Sequence, residues 1–299
     1  MEHIKYKNIS RIKEEYELNF RKGNEIIIQE KIDGANIAIR YDSETDMVIG
    51  QSRNNLLNEE SDFNGFIEWK NKLDKNLVKS VLGDNLVLYG EWLVPHRVVY
   101  PMERYKNAYF YDVLDIETKS YLPQDKVKEI VNALDLIYVP VFYEGEFVSW
   151  EHCRQFVGQT QLGGETGEGI VVKNITRLNK GDYFYLKIVH EKFSEIKIPK
   201  WDDSFKTKRR TESELLAETI ITSARIEKIL EKLVDEGVLP ENWGVDEQPL
   251  ILKNLTKFVY QDCMKEEPET VNNIENFGKI ANKVTVRVFK EILKRRQEE

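Results

Sequence analysis

The sequence is short of the residues that would staple or anchor it. Only two cysteines, Cys153 and Cys263, occur in 299 residues, far apart and without metal-ligand spacing. That argues against a disulfide framework or a cysteine-based zinc site and fits reduced thiols in a cytoplasmic protein, the host cytoplasm if the source is viral. No apolar run approaches the roughly 20 residues that span a bilayer. The opening MEHIKYKNIS is charged and lacks the apolar segment of a secretory leader. The four histidines, His3, His96, His152 and His190, show no triad logic. A basic excess is missing as well: 44 Lys and Arg face 52 Asp and Glu, a net charge of −8. Indiscriminate, whole-surface binding of nucleic acid is disfavoured, whereas a local basic channel is not.

What is present is a chain with a core and two textures. A hydrophobic content of 41% supports real burial, and the length suits one large domain or two ordinary ones. Up to about residue 200, short apolar segments have strand composition: EIIIQEKI, ANIAIRY, LVLYGEW, AYFYDVLD, IYVPVF, EGIVVKN and YFYLKIV. In ANIAIRY, Ala35, Ile37, Ile39 and Tyr41 alternate onto one side. Helices are predicted over Phe66 to Leu82 and over Asp125 to Leu134, where Val127, Ile130, Val131 and Leu134 fall at helical spacing. The polar WDDSFKTKRRTESE from Trp201 reads as a linker. After it come an amphipathic stretch from Leu215 to Val234, stopped by Gly237 and Pro240, and two more from about Leu250 to Met264 and Ile274 to Arg296. The expected organisation is α+β: an antiparallel-sheet domain over 1–203, then a small all-helical domain over 204–299.

The chemistry concentrates around EKIDGAN, residues 30–36. Lys31 ends an apolar strand, and Asp33-Gly34 follow it. Taken alone, DG between apolar runs is an ordinary hairpin signal, with Gly34 allowing a tight turn. Later strands change the weighting. Glu91 ends LVLYGE, Glu168 opens EGIVVK, Lys173 ends that strand, and Lys187 interrupts YFYLKIV. Charges inside apolar strands are costly unless paired or used, and here they would converge on one sheet face.

The ordered set resembles the covalent nucleotidyltransferases, which comprise DNA ligases, RNA ligases and mRNA capping enzymes. More narrowly, it is similar to RNA-repair ligases of the RNA ligase 2 type. The narrower likeness rests on Asn36, Ser52-Arg53-Asn54, Gly90-Glu91-Trp92, Tyr111-Asp112, EGIVVK and KFSE at 192–195. The resemblance implies an ATP-grasp-like ligase core in which Lys31 attacks the α-phosphate of ATP and becomes lysyl-AMP. It further implies that Glu30 lies beside the adenine, Tyr111 stacks on it, and Glu91 holds the ribose. Asn36 and Arg53 would position phosphate and the 3′ end. Glu168 would support Mg2+ or Mn2+, while Lys173 and Lys187 would hold phosphate oxygens. The chemistry agrees. With a free-lysine pKa near 10.4, only about 0.1% is neutral near pH 7.4, so neighbouring cations that disfavour the ammonium help the nucleophile.

One departure stands out. The family pattern carries a second lysine two residues after Lys187, and here that position is Val189. Lys192 or a backbone group serves instead, or the contact is dispensable. Two basic stretches are candidates for gripping RNA phosphates. One is Lys192 to Arg210, with Lys197, Lys200, Lys206, Lys208 and Arg209 between. The other is a helical stripe of Lys279, Lys283, Arg287, Lys290 and Lys294, beside an apolar stripe of Ile280, Val284, Val288 and Ile292. The expected substrate is RNA ends, with nicked duplex RNA favoured, and the expected state is a monomer. The competing readings are a DNA ligase, a capping guanylyltransferase, or a non-catalytic nucleotide- or RNA-binding relative. The first two usually carry a β-barrel where this tail reads helical.

Overall fold

The computed structural model describes residues 2–60, 63–177, 184–194 and 211–298. The chain divides into two compact units, Met1–His190 and Glu191–Glu299. The 203/204 boundary, residues 201–210 of the predicted linker and most of the 192–210 basic stretch lie outside the described residues, and the end of that linker, from Thr211, caps and begins a helix.

In chain order the strands begin with β1 (Ser10–Arg11), β2 (Glu25–Lys31), β3 (Ala35–Asp42), β4 (Met47–Ser52), β5 (Leu56–Leu57) and β6 (Leu86–Trp92). They continue with β7 (Ala108–Asp115), β8 (Ser120–Tyr121), β9 (Ile137–Tyr138), β10 (Val141–Glu146), β11 (Gly169–Asn174) and β12 (Tyr185–Val189). One sheet has the order β1-β12-β11-β2-β10, the other β5-β4-β3-β6-β7-β8, with β9 added against β7. Pairing is antiparallel except at β1–β12 and β7–β9, two short parallel contacts.

Helices α1 (Glu14–Glu17), α2 (Phe66–Asn71), α3 (Lys75–Leu82), α4 (Gln124–Ala133) and α5 (Trp150–Arg154) complete the first unit. The predicted 66–82 helix is broken because Asp74 is an N-cap, accepting from the amides of Asn76 and Leu77. IYVPVF is likewise not one strand. Pro140 lacks the amide a ladder needs, and the halves become β9 and β10 in different sheets.

The seven-stranded sheet buries one face under α2, α3 and α4. Ala35, Ile37, Ile39 and Tyr41 lie there together with Leu88, Trp92, Phe110 and Val127, as the alternation requires. The five-stranded sheet buries Ile26, Ile28, Ile170, Val172 and Leu186 against Phe20, Phe147 and Trp150. The other face of the seven-stranded sheet packs Tyr6, Ala38, Val87 and Tyr89, and that of the five-stranded sheet carries Lys31, Lys173 and Lys187.

The second unit is helical throughout its described secondary structure beyond the short 191–193 turn. It comprises α6 (Glu212–Ile220), α7 (Ser223–Asp235), α8 (Gln248–Glu266), α9 (Pro268–Asn272) and α10 (Phe277–Glu298). Thr222 interrupts the first predicted amphipathic stretch by capping α7, its hydroxyl accepting from the Arg225 amide at 3.3 Å. The core joins Ile220, Ile226, Leu230, Leu255, Val259 and Phe289. Among the described residues no helix is long and apolar enough to cross a membrane.

Candidate active site

The site begins with the turn after β2. Strands β2 and β3 do not form the hairpin that DG suggested, because they belong to different sheets. Gly34 is needed for another reason: a Cβ there would meet the Trp92 carbonyl oxygen at 2.5 Å. The close approach sets Asn36 opposite Glu91 in the β3–β6 ladder. It thereby links the end of the Lys31 strand to the Glu91 strand.

Register explains which side chains meet. Lys31 pairs with Gly169, and Gly169 with Val189. Two residues along, Gln29 pairs with Val171 and Val171 with Lys187. Because directly paired residues share a face, Lys31, Val171, Lys187 and Val189 lie on the face opposite the Ile28–Ile170 core.

Lys31 Nζ donates to Glu168 Oε2 at 2.6 Å, with the lysine side chain 22% exposed and the glutamate 2%. The other oxygen, Oε1, lies 3.6 Å from the Arg97 guanidinium. Arg97 also approaches Asp33 at 3.4 Å, and the amides of Arg97 and Val98 each donate to Asp33 Oδ2 at 2.9 Å. Asp33 is thus the post that holds the loop after β6, while its own amide donates to the Tyr100 hydroxyl at 3.1 Å. Burial acts to raise the Asp33 carboxyl, but Arg97, His96 and Lys31 outweigh it and hold it below the ordinary range. Glu91 shows the opposite balance. Burial pushes its carboxyl up to about 7, with Glu168 and Asp33 adding to the rise and Lys31 and His96 opposing it.

Around the neighbouring wall, the Asn36 amide donates to the Tyr111 hydroxyl. A register shift in the β6–β7 ladder pairs Tyr89 with Asp112 and Gly90 with Phe110, leaving Tyr111 as the extra residue of a bulge. Tyr111 consequently joins Tyr6, Ala38 and Tyr89 on the face opposite the helices. Arg53 donates to the Asn8 side chain and is close enough to Tyr111 to act on it electrostatically.

Two of the expected site residues have partners within the protein. Lys173 is buried and paired. It is 1% exposed, and its Nζ donates to Asp112 at 2.8 Å and to the Tyr111 carbonyl at 3.0 Å. Its register position opposite Ile27 carries it four residues along β2 from Lys31, into the packed interior. Glu30, next to Lys31 on an extended strand, faces the other side of the sheet. Its two oxygens accept from the Thr160 hydroxyl at 2.6 Å and the Gln161 amide at 2.9 Å, so it fastens a loop.

Other contributors were not singled out from the sequence. Residues 2–9 form a strap from the seven-stranded sheet toward β1. Along it, Ile4 exchanges hydrogen bonds with the Gln51 side chain, Tyr6 donates to Asp112, and the Lys7 amide donates to the Tyr121 hydroxyl at 3.1 Å. Nothing in its composition marks it as part of a site. Asp33 was visible within the KxDG pattern, and Arg97 only as a lone charge in VPHRVV.

In the second unit, Lys279, Lys283, Lys290 and Lys294 are exposed on α10 and Arg287 is half-buried. Part of the stripe is already neutralised: Lys283 meets Glu214 at 2.5 Å and Arg287 meets Glu218 at 2.8 Å, both carboxylates from α6.

A family model described as RNA ligase matches residues 24–189, more than half the chain. Among solved structures, Naegleria gruberi RNA ligase with pyrophosphate is 21% identical at a TM-score of 0.47, the match covering 64% of this chain and 57% of that one. A variant of the same ligase with AMP and Mn is 20% identical at a TM-score of 0.45, with the same coverage of both chains. This chain thus spans less than two thirds of the length of the Naegleria ligase. No curated protein matches the sequence.

Proposed function

From the chain's membership of the RNA ligase family, we propose that it is an ATP-dependent RNA ligase sealing 5′-phosphate and 3′-OH ends through a lysyl-AMP at Lys31. The observation that carries this reading is a lysine, 22% exposed at a strand end, held at 2.6 Å by a buried carboxylate. Burying a lone carboxylate is costly, and this one has a lysine and an arginine beside it within a larger acidic group.

In the resting arrangement the Lys31 ion pair holds an ammonium, which has no lone pair to attack with. Reaction needs Glu168 to release the lysine and Nζ to lose a proton to solvent water. The amine then forms the Nζ–P bond as the bond from the α-phosphorus to pyrophosphate breaks, with pyrophosphate taking the electron pair. The RNA 5′-phosphate next displaces Lys31 from AMP, and a 3′-OH finally displaces AMP. Lys187 shares the Lys31 face one row away and is suited to phosphate oxygens. Asn36 and Tyr111, joined by a hydrogen bond, would form a wall for the base, and Glu91 would hold the ribose.

The donor set fits Mg2+ or Mn2+, since its candidate ligands are the carboxylate oxygens of Glu168 and its neighbours. Glu168 would hold the ion, which when bound supplies positive charge for the triphosphate. A helical second unit supports RNA over the barrel-bearing DNA ligases and capping enzymes. Its α10 stripe is the candidate grip on RNA phosphates, and nicked duplex RNA is the favoured substrate. The two buried free thiols suit a reducing compartment such as the cytoplasm.

Incubation with α-labelled ATP or GTP and Mg2+, followed by offering nicked RNA, nicked DNA and single-stranded RNA, tests the assignment. Covalent label from ATP with sealing of RNA is expected. Label from GTP alone would mean capping chemistry, sealing of DNA alone a DNA ligase, and no label a nucleotide-binding relative.

A further inference from the structure

The five-stranded sheet leaves the Lys31 row short of positive charge. Across the three strands that row reads Lys31, Gly169, Val189. Lys187 lies two residues along β12, about 7 Å away at the rise of an extended strand. Lys173 is committed to Asp112. A phosphate approaching Lys31 Nζ therefore meets Gly169, which has no side chain, and beyond it the apolar Val189.

The loop after β6 presents a cation to the same place. Arg97 NH2 lies 3.6 Å from Glu168 Oε1, while Lys31 Nζ lies 2.6 Å from Glu168 Oε2. One carboxylate thus bridges the nucleophile and the guanidinium. Its two oxygens are spaced like two non-bridging oxygens of a phosphate, so the gap it fills is sized for a phosphate edge. The guanidinium is 10% exposed and is fixed from behind by Asp33, which also accepts from the Arg97 and Val98 amides. Such anchoring pre-organises a planar donor, and planar donors match phosphate better than an ammonium does. An α-phosphorus within about 3–3.5 Å of Nζ would put its oxygens where those of Glu168 now lie.

We propose that Arg97 binds a phosphate of the nucleotide at Lys31, providing from the β6 loop the cation that position 189 does not. This inference rests on the reading of Lys31 as the adenylated nucleophile. Glu168 occupies the position in the resting protein, and its departure exposes Lys31 and Arg97 to the same anion.

The test measures the rate of lysyl-AMP formation against ATP concentration for the full chain, with the thermal unfolding midpoint recorded in parallel. Arg97→Gln keeps donors for Asp33 but loses the charge, and Arg97→Ala loses both. Each is expected to lower kcat/KM for ATP by roughly 100-fold, the scale for one pre-organised donor, and Arg97→Lys by less. Adding Val189→Lys to Arg97→Gln is expected to restore about tenfold of that loss, which a purely structural role for Arg97 gives no reason to expect. Arg97→Gln with wild-type kcat and KM, or activity lost only in proportion to unfolded protein with no recovery from Val189→Lys, would overturn the proposal. Wild-type protein that forms no lysyl-AMP overturns the Lys31 reading along with it, whereas normal label with unaffected Arg97 variants defeats this inference alone.

Discussion

Two lysines share the polar face of the five-stranded sheet, and each meets a carboxylate at nearly the same distance. Lys31 lies 2.6 Å from Glu168 and is 22% exposed, whereas Lys173 lies 2.8 Å from Asp112 and is 1% exposed. Around Lys31 the loop after β6 and the carboxylates of Glu91 and Asp33 leave an approach for a ligand. Around Lys173, Tyr6, Tyr111 and Tyr185 close the interior. The same pair of charges thus serves as a reagent where one end stays accessible and as a structural tie where neither does. Burial lowers the affinity of Lys173 for its proton, and the Asp112 carboxylate works against that shift.

The largest expected effect separates the two by activity. Lys31→Ala should reduce adenylation to background while the chain still unfolds cooperatively, measured by label incorporation beside a denaturant melt. Residual label at more than a trace would break the contrast. Next comes stability at the other pair. Lys173→Met or Asp112→Ala leaves one buried charge without its partner and should cost about 3–5 kcal/mol in urea unfolding. The combined Lys173→Met and Asp112→Leu change should cost clearly less than the sum. Additive losses would show that the two charges do not act as a pair.

A pH effect of middling size belongs to the Lys31 end alone. The Glu91 carboxyl is raised from its ordinary 4.5 to about 7, so folding favours its protonated form. Its contribution is fully present below about 4.5 and is lost as pH rises through about 7. The nucleotide-free protein should lose stability across that window, and Glu91→Gln should flatten the decline. Identical slopes for the two proteins would contradict this origin. The smallest effects lie in the second unit. Replacing Lys279, Lys290 and Lys294 by Gln should weaken RNA binding and reduce its salt dependence. Lys283→Gln alone should do less, because Glu214 already neutralises that ammonium.

The sequence made the strands and most of the Lys31 group readable because both depend on local pattern. Alternation places Ala35, Ile37, Ile39 and Tyr41 on one face, and a charge ending an apolar strand draws notice. What it did not reveal depends on partners distant in the chain. Lys173 looked like Lys187 until Asp112, 61 residues away, met it in the core. Glu30 looked like a companion of Lys31 until strand geometry turned it to the Thr160 loop. DG resembled a hairpin because nothing local says that the chain changes sheets at Gly34. Arg97 was missed since its meaning comes only from Asp33 and Glu168. The α10 stripe followed from helical spacing, but its partial neutralisation by α6 did not.

One lysine must carry the nucleotide. Wild-type protein incubated with ATP and Mg2+, digested and mapped by mass spectrometry, should yield one AMP adduct, on the peptide containing Lys31 and absent from Lys31→Ala. An adduct on Lys173 or Lys187, or none at all while the folded protein binds ATP, would contradict the assignment to Lys31.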